Sequence, residues 1–196
     1  MIQLAAFLGN YGKKYEKNRH NVAWLFADSL SAVSRLTFTK KFKGEYALEK
    51  NTDITEKRED PLYYLKPETY MNLSGESIAE LANFYKIKPE NILVVHDELE
   101  LPLGTVSLKW SGGLGGHNGL RSAKACLGTP DFWRLRFGIG RPDHNDVAGY
   151  VLSDFTSDER ICLAQIFPQA EEFFTTLMVS DPKKLEAEWK KKNLLP

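Results

Sequence analysis

A chain of 196 residues, 42% hydrophobic and 27% charged, is long enough for one well-buried domain and short for two, and its composition is that of an ordinary globular protein. Its 26 lysines and arginines balance 26 aspartates and glutamates, which taken alone argues weakly against a nucleic-acid partner; no apolar run nears the ~20 residues of a membrane span. No cationic and apolar leader opens the chain, and its two cysteines, Cys126 and Cys162, stand far apart in predicted helices, so buried free thiols and a cytoplasmic location are expected.

The first apolar run, Ile2–Gly9, reads as a strand ending at Asn10. Mixed charges follow, then His20 between Arg19 and Asn21, just ahead of a helix whose inner face takes Val22, Phe26, Leu30 and Val33. Strands are predicted at Tyr46–Leu48 and Leu62–Leu65, with the polar run KNTDITEKRED (50–60) as an exposed loop between them. A helix with Ile78, Leu81, Ala82 and Tyr85 on one face leads to Ile92–Val95, apolar throughout as a strand covered on both faces should be. After a strand at Thr105–Lys109 and the loop WSGGLGGHNGL, a helix places Leu120, Ala123 and Leu127 inward; the last predicted strand is Trp133–Ile139. Near the C-terminus Ile166, Ala170, Phe173, Phe174 and Leu177 share a helix face, and Pro168 marks either the first turn of that helix or a break from an earlier one at Ser157–Phe167. Strands alternating with helices, with no linker and no repeat, predict one α/β domain over residues 1–196, its mixed, mostly parallel central sheet flanked by helices.

Ligands of such sheets bind beyond the carboxyl ends of the strands. Asn10 follows the first predicted strand, Tyr70 and Asn72 the third, His96-Asp97-Glu98 the fourth, and His117-Asn118 the glycine loop. Each has a plainer alternative: Asn10 as a turn residue, Asn72 and Asn118 as helix caps, Asp97 as a loop anchor, and a lone histidine as structural. Four glycines between Gly112 and Gly116 fit neither a phosphate cradle nor a dinucleotide fingerprint and suggest a mobile loop. Taken together, an imidazole, a carboxylate and several amides make a general-base hydrolytic set: the carboxylate fixes the tautomer, and amides hold water or donate to an oxyanion. No GxSxG elbow is present, so water is the expected nucleophile, and four histidines without HExxH or CxxC spacing give no metal-ligand set.

Charge is unevenly placed. From Gly104 to Arg141 there are six basic residues, Lys109, Arg121, Lys124, Arg134, Arg136 and Arg141, against the single acid Asp131. Arg35–Lys43 holds four basic residues and no acid, and the tail 181–192 five lysines against three acids. Such segregation gives a neutral protein either a basic face or merely solvated helices.

The motifs LGN-x-G-x2-Y-x3-RHNV, LKPETYMNLSG, VVHDELELPLG, GGxGGHNGL and FWRLRFGIGRP, collinear from Leu8 to about Phe155, resemble bacterial peptidyl-tRNA hydrolase. The resemblance implies a metal-free, cofactor-free monomer that cleaves the ester between a peptide and the tRNA ribose, its partner being peptidyl-tRNA. Carried over by position, it implies His20 as the base, Asp97 as its holder and Asn10 as a peptide contact that tells blocked from free aminoacyl ends. It implies Tyr15, Tyr70, Asn72 and Asn118 as substrate-binding residues, Asn72 and Asn118 nearest the ester, and Lys109 and Arg136 as clamps on tRNA phosphate. The family usually has proline where Tyr11 stands and threonine where Asn18 stands, from which a less rigid Asn10 and little change at His20 are expected. Two rivals remain: a non-catalytic RNA-binding relative, whose signature would be a missing site residue, and a serine or cysteine acyl hydrolase.

Overall fold

The computed structural model describes residues 1–50, 60–143 and 145–195; the predicted loop at 50–60 lies, but for its end residues, outside them. In chain order the elements are β1 (Leu4–Phe7), α1 (Val22–Ser29), α2 (Ser31–Ser34), β2 (Thr39–Lys41), β3 (Gly44–Glu49), β4 (Leu62–Pro67), α3 (Ser74–Tyr85), β5 (Ile92–Glu98), β6 (Thr105–Trp110), α4 (Asn118–Leu127), β7 (Trp133–Gly138), α5 (Val147–Val151), α6 (Ser157–Met178), α7 (Pro182–Glu186) and β8 (Lys192–Asn193). Short 3-10 turns at Arg19–Asn21 and Met71–Leu73 lead into α1 and α3.

One sheet runs in the order β2-β3-β4-β1-β5-β7-β6-β8. Its centre, β4-β1-β5-β7, is parallel and both flanks are antiparallel, so the sheet is mixed as expected, with its parallel pairs gathered in the middle. Alternate residues of the central strands feed two cores, because successive side chains in a strand point to opposite faces. Ala5, Phe7, Leu93 and Val95 pack with α1 and α6; Leu4, Ala6, Ile92 and Val94 pack with α3 and α4. Two flanking layers thus cover the apolar centre.

Four sequence expectations change. The first helix ends at Ser29, where Leu30 turns extended (φ −69°, ψ 125°), so Val33 belongs to the separate α2. Pro168 neither starts nor breaks a helix but sits inside the continuous α6, whose buried stripe of Leu163, Ile166, Ala170, Phe173 and Leu177 runs through it. Both cysteines are free, but Cys126 is exposed and Cys162 half-buried, because the inward faces of α4 and α6 are taken by larger apolar residues. The lysine-rich tail, read as either part of a basic face or a solvated helix, is docked on the fold: Trp189 stacks on Phe173 at 3.7 Å, and β8 pairs with β6.

Close packing then sets the site. A Cβ at Gly75 would lie 2.1 Å from the Ser122 carbonyl oxygen, and one at Gly119 2.6 Å from Met71 Sδ. Only glycine lets α3 meet α4 this closely, and so brings the turn carrying Asn72 beside the start of α4 that carries Asn118.

Candidate active site

His20 occupies the 3-10 turn ahead of α1, and its two neighbours explain the RHN triplet. Arg19 is buried, donating through Nη1 to Ser153 Oγ (2.6 Å) and the Asp154 carbonyl (2.7 Å) and through Nη2 to Glu159 (2.6 Å), with its guanidinium 4.4 Å from the Tyr150 ring centroid. Asn21 grips the backbone of Asn10 from both sides: its Oδ1 accepts from the Asn10 N–H (2.8 Å) and its Nδ2 donates to the Asn10 carbonyl (3.0 Å). The turn is fastened on either side, and His20 is held between.

Asn10 follows β1, is 6% exposed, and accepts the Met71 N–H through Oδ1 (2.8 Å). That bond assigns its amide orientation and leaves the NH₂ to face the cleft. Tyr11 donates its N–H to the Thr69 carbonyl (3.2 Å), a bond proline would lack. With these four contacts, the looser Asn10 expected from Tyr11 is not found. Asn18 donates to the Leu152 carbonyl (2.9 Å), one more strut beneath the turn of His20.

Asp97 belongs to β5, which runs three residues further than Ile92–Val95 and ends in the catalytic-looking HDE. Its Oδ1 meets His20 Nδ1 at 2.8 Å and His117 Nε2 at 2.9 Å. Burial alone would raise its carboxyl, but the two imidazoles outweigh burial and hold it well below the usual carboxylate range. An ionised carboxylate only accepts, so both imidazoles donate to it. His20 therefore carries its hydrogen on Nδ1 and keeps the Nε2 lone pair, for which no partner stands among the described residues.

His117 has a second duty. Its Nδ1 accepts from the N–H groups of Gly119 (3.1 Å) and Leu120 (3.3 Å), capping α4. Neither Asn118 nor Asn72 is a cap, as the plainer alternative had it. The cap fixes the hydrogen of His117 on Nε2, pointing at Asp97. The ligand atoms of His20, Asp97 and His117 lie within 4.8 Å of one another, a set of the right types for a cation. A cation at His117 Nε2 would displace the proton the cap places there, forcing an imidazolate or the loss of both cap bonds, so the donor set fits a metal poorly. His96 donates from Nδ1 to the Asp97 carbonyl (2.6 Å); burial, then the neighbouring His117, lowers its pKa well below 6.5 and keeps it neutral.

Two cavities meet at His20. One, about 440 Å³, is lined by Asn10, Tyr15, Tyr70, Asn72 and Asn118 among others; the second, about 340 Å³, by Asp97, His117, Asn118 and α5. Asn72 and Asn118 are exposed, and Tyr70 is 59% exposed. The fold thus gathers Asn10, Tyr15, His20, Tyr70, Asn72, Asp97 and Asn118 from six separate stretches of the chain. Lys109 and Arg136 stand elsewhere, on one face of β6 and β7, where Ser107 opposes Arg136 and Lys109 opposes Arg134. Arg136 donates to Ser107 Oγ (2.7 Å) and pairs with Glu98 (3.3 Å); burial, then Arg136 and Arg134, lowers the pKa of Lys109. Sequence reading placed His117 among the candidates but gave it no role, and it missed Asn21; each acts through a contact between distant elements, which no local pattern announces.

A family model described as peptidyl-tRNA hydrolase matches residues 4–195. The chain is 45% identical over 199 residues to a peptidyl-tRNA hydrolase of Treponema pallidum (strain Nichols), covering 99% of this chain and 97% of that protein. It is 48% identical over 166 residues to one from Desulfitobacterium hafniense (strain Y51), covering 84% and 86%. Among solved structures, the crystal structure of peptidyl-tRNA hydrolase with N-propanol superposes with a TM-score of 0.85 at 33% identity, covering 96% and 94%. The Acinetobacter baumannii peptidyl-tRNA hydrolase superposes with 0.78 at 36% identity, covering 91% and 88%. Similarity along nearly the whole chain, in sequence and in fold, places this chain in the peptidyl-tRNA hydrolase family of ester hydrolases.

Proposed function

We propose that the protein hydrolyses the ester between a peptide and the 3′-ribose of tRNA, with His20 as general base. The observation that carries this reading is the single Asp97 oxygen that holds His20 at 2.8 Å, with the free Nε2 side of the imidazole where two cavities meet. Nε2 takes a proton from water as its oxygen attacks the ester carbonyl carbon, and Asp97 stabilises the imidazolium formed. The tetrahedral oxyanion accepts from the amides of Asn72 and Asn118, each well-placed donor contributing about 3 kcal/mol. The intermediate then collapses, the C–O bond to the ribose breaks, and the imidazolium returns its proton to the leaving oxygen. Asn10 presents a neutral NH₂ to the peptide carbonyl, which gives no special attraction to the cationic amine of an unblocked aminoacyl end; Tyr15 and Tyr70 flank the same cavity. Lys109 and Arg136 hold the phosphate backbone away from the chemistry.

Incubation with N-blocked and with free aminoacyl-tRNA tests the reading. Only the blocked form should release tRNA readily, and His20→Ala should cost about 10²–10⁴-fold in kcat while tRNA affinity stays within a few-fold. Binding without turnover in the parent protein would leave a non-catalytic RNA binder. Near-parent turnover in the variant would mean another base.

A further inference from the structure

Arg134 belongs to the basic run that sequence reading offered to nucleic acid, yet its charge faces inward. The side chain is 1% exposed; Nη1 donates to the Gly113 carbonyl at 2.6 Å and Nη2 to the Gly112 carbonyl at 3.0 Å, and the guanidinium lies 5.1 Å from the Phe132 ring centroid. No carboxylate is within ion-pair distance among the described residues. Burial, then the nearby Arg136, lowers its pKa, and Glu98 pulls the other way. A buried cation is costly unless hydrogen-bonded, and here the partners are two loop carbonyls.

Those carbonyls belong to the segment with most to lose on ordering. Ser111 (φ 47°), Gly112 (φ 94°), Gly115 (φ 57°) and Gly116 (φ 76°) are left-handed, and glycine loses more backbone freedom on folding than any other residue. Ser111 is fastened at the start of the loop by the Phe132 carbonyl (3.1 Å) and Asp131 (2.7 Å). From Gly112 to Gly116, the two bonds from Arg134 are the only hydrogen bonds to a strand among the described residues. The next two residues are His117, on Asp97, and Asn118, in both cavities.

We infer that Arg134 is a positioning residue for the hydrolysis: from β7 its fork fixes the glycine loop, so that His117 reaches the Asp97 carboxylate and Asn118 faces the ester. The fork matters because Nη1 and Nη2 each take one of two successive carbonyls at fixed spacing, whereas an ammonium is a single point whose donors are not held in that geometry. This deepens, and rests on, the proposed hydrolysis. It also separates Arg134 from Lys109 and Arg136, its neighbours on the same face of the sheet.

Arg134→Ala and Arg134→Lys decide it, each measured for turnover of N-blocked aminoacyl-tRNA, for the salt dependence of KM, and for amide hydrogen exchange over Gly112–Asn118. A misplaced loop should lower kcat of Arg134→Ala by about 10²-fold. The salt slope should match the parent's, because no phosphate contact is lost. Loop amides should exchange faster, and millimolar guanidinium, filling the vacated site, should restore both kcat and protection in Arg134→Ala while leaving the parent unchanged. Arg134→Lys keeps the charge and most of the volume but not the fork, so it should show the same kcat defect if the alanine variant proves too unstable to assay. A parental kcat with a shallower salt slope would make Arg134 a phosphate contact and overturn the inference. So would a kcat loss that guanidinium does not relieve while loop protection stays parental. If the parent itself does not turn over, the hydrolysis reading fails, and hydrogen exchange alone still decides the tether.

Discussion

Asp97 serves two imidazoles through a single carboxylate oxygen, and that division has a consequence for pH. His117 cannot release its share without breaking the cap of α4, so its N–H draws permanently on the charge that would stabilise a protonated His20. Asp97→Asn removes that charge and should lower kcat, with the acid limb of the pH–rate profile moving to lower pH, because the imidazolium loses its counter-ion. His117→Ala leaves Asp97 to His20 alone, and the acid limb should move to higher pH. Opposite displacements identify one shared carboxylate; displacements of the same sign, or none, would show that His117 is only a helix cap. The candidates Asn10, Asp97 and Asn118 were legible as polar residues at the ends of recognisable elements, whereas His20 received its role from the family resemblance. His117 was legible as a residue and not as a role, since its role is a distance of 2.9 Å to a residue twenty positions away.

Among the elements, α6 shows how tertiary packing overrides a local signal. Proline inside a helix costs ~3 kcal/mol or more, which is why Pro168 read as a start or a break. Seven buried residues on one stripe of α6, each worth about 1.5–3 kcal/mol for the large apolar side chains, keep the 22-residue helix continuous through it. The same helix reaches the active site by its first turn. Thr156 and Glu159 form a capping box, and Glu159 Oε2 accepts from both the Thr156 N–H (2.7 Å) and Arg19 (2.6 Å), the residue before His20. Thr156→Ala should therefore lower unfolding free energy by about 1 kcal/mol, read as a fall in denaturation midpoint at unchanged m. Turnover should stay near the parent's, since Arg19 keeps Ser153 and Asp154. A large loss of kcat with stability intact would assign the capping box to catalysis instead. The edge strands β2 and β8 went unpredicted for a related reason: three exposed residues and two terminal ones carry no alternating pattern, and exist as strands only because β3 and β6 offer them unpaired edges.

Across the whole molecule, a net charge of zero must still hold a polyanion, and the structure narrows which cations can do so. In the 35–43 run Lys40 pairs with Glu68, Lys43 with Glu76 and Glu80, and Lys41 lies over Phe84. In the 104–141 run Arg134 is turned inward, and Arg141 pairs with Glu100. Lys192 of the tail pairs with Glu188. Lys109 and Arg136 stand together on one face, half-buried: Arg136 also pairs with Glu98, Lys109 has no carboxylate within ion-pair distance among the described residues, and Ser107 links Arg136 to the tail through the Lys190 carbonyl. Burial first, then repulsion from Arg136 and Arg134, lowers the pKa of Lys109, and an incoming phosphate would offset that repulsion. Each phosphate contact releases counterions, with a log–log salt slope of about −0.9 per contact on a duplex. Lys109→Ala and Arg136→Ala should each raise KM with little change in kcat, because the contact is made equally in ground and transition states. Each should make the salt slope shallower by about one unit, and a small ester lacking the tRNA body should be cleaved equally by variant and parent. A pure kcat defect, or an undiminished slope, would return these two side chains to the ordinary surface and move the search for the tRNA contact to Arg121 and Lys124 on α4, beside Asn118.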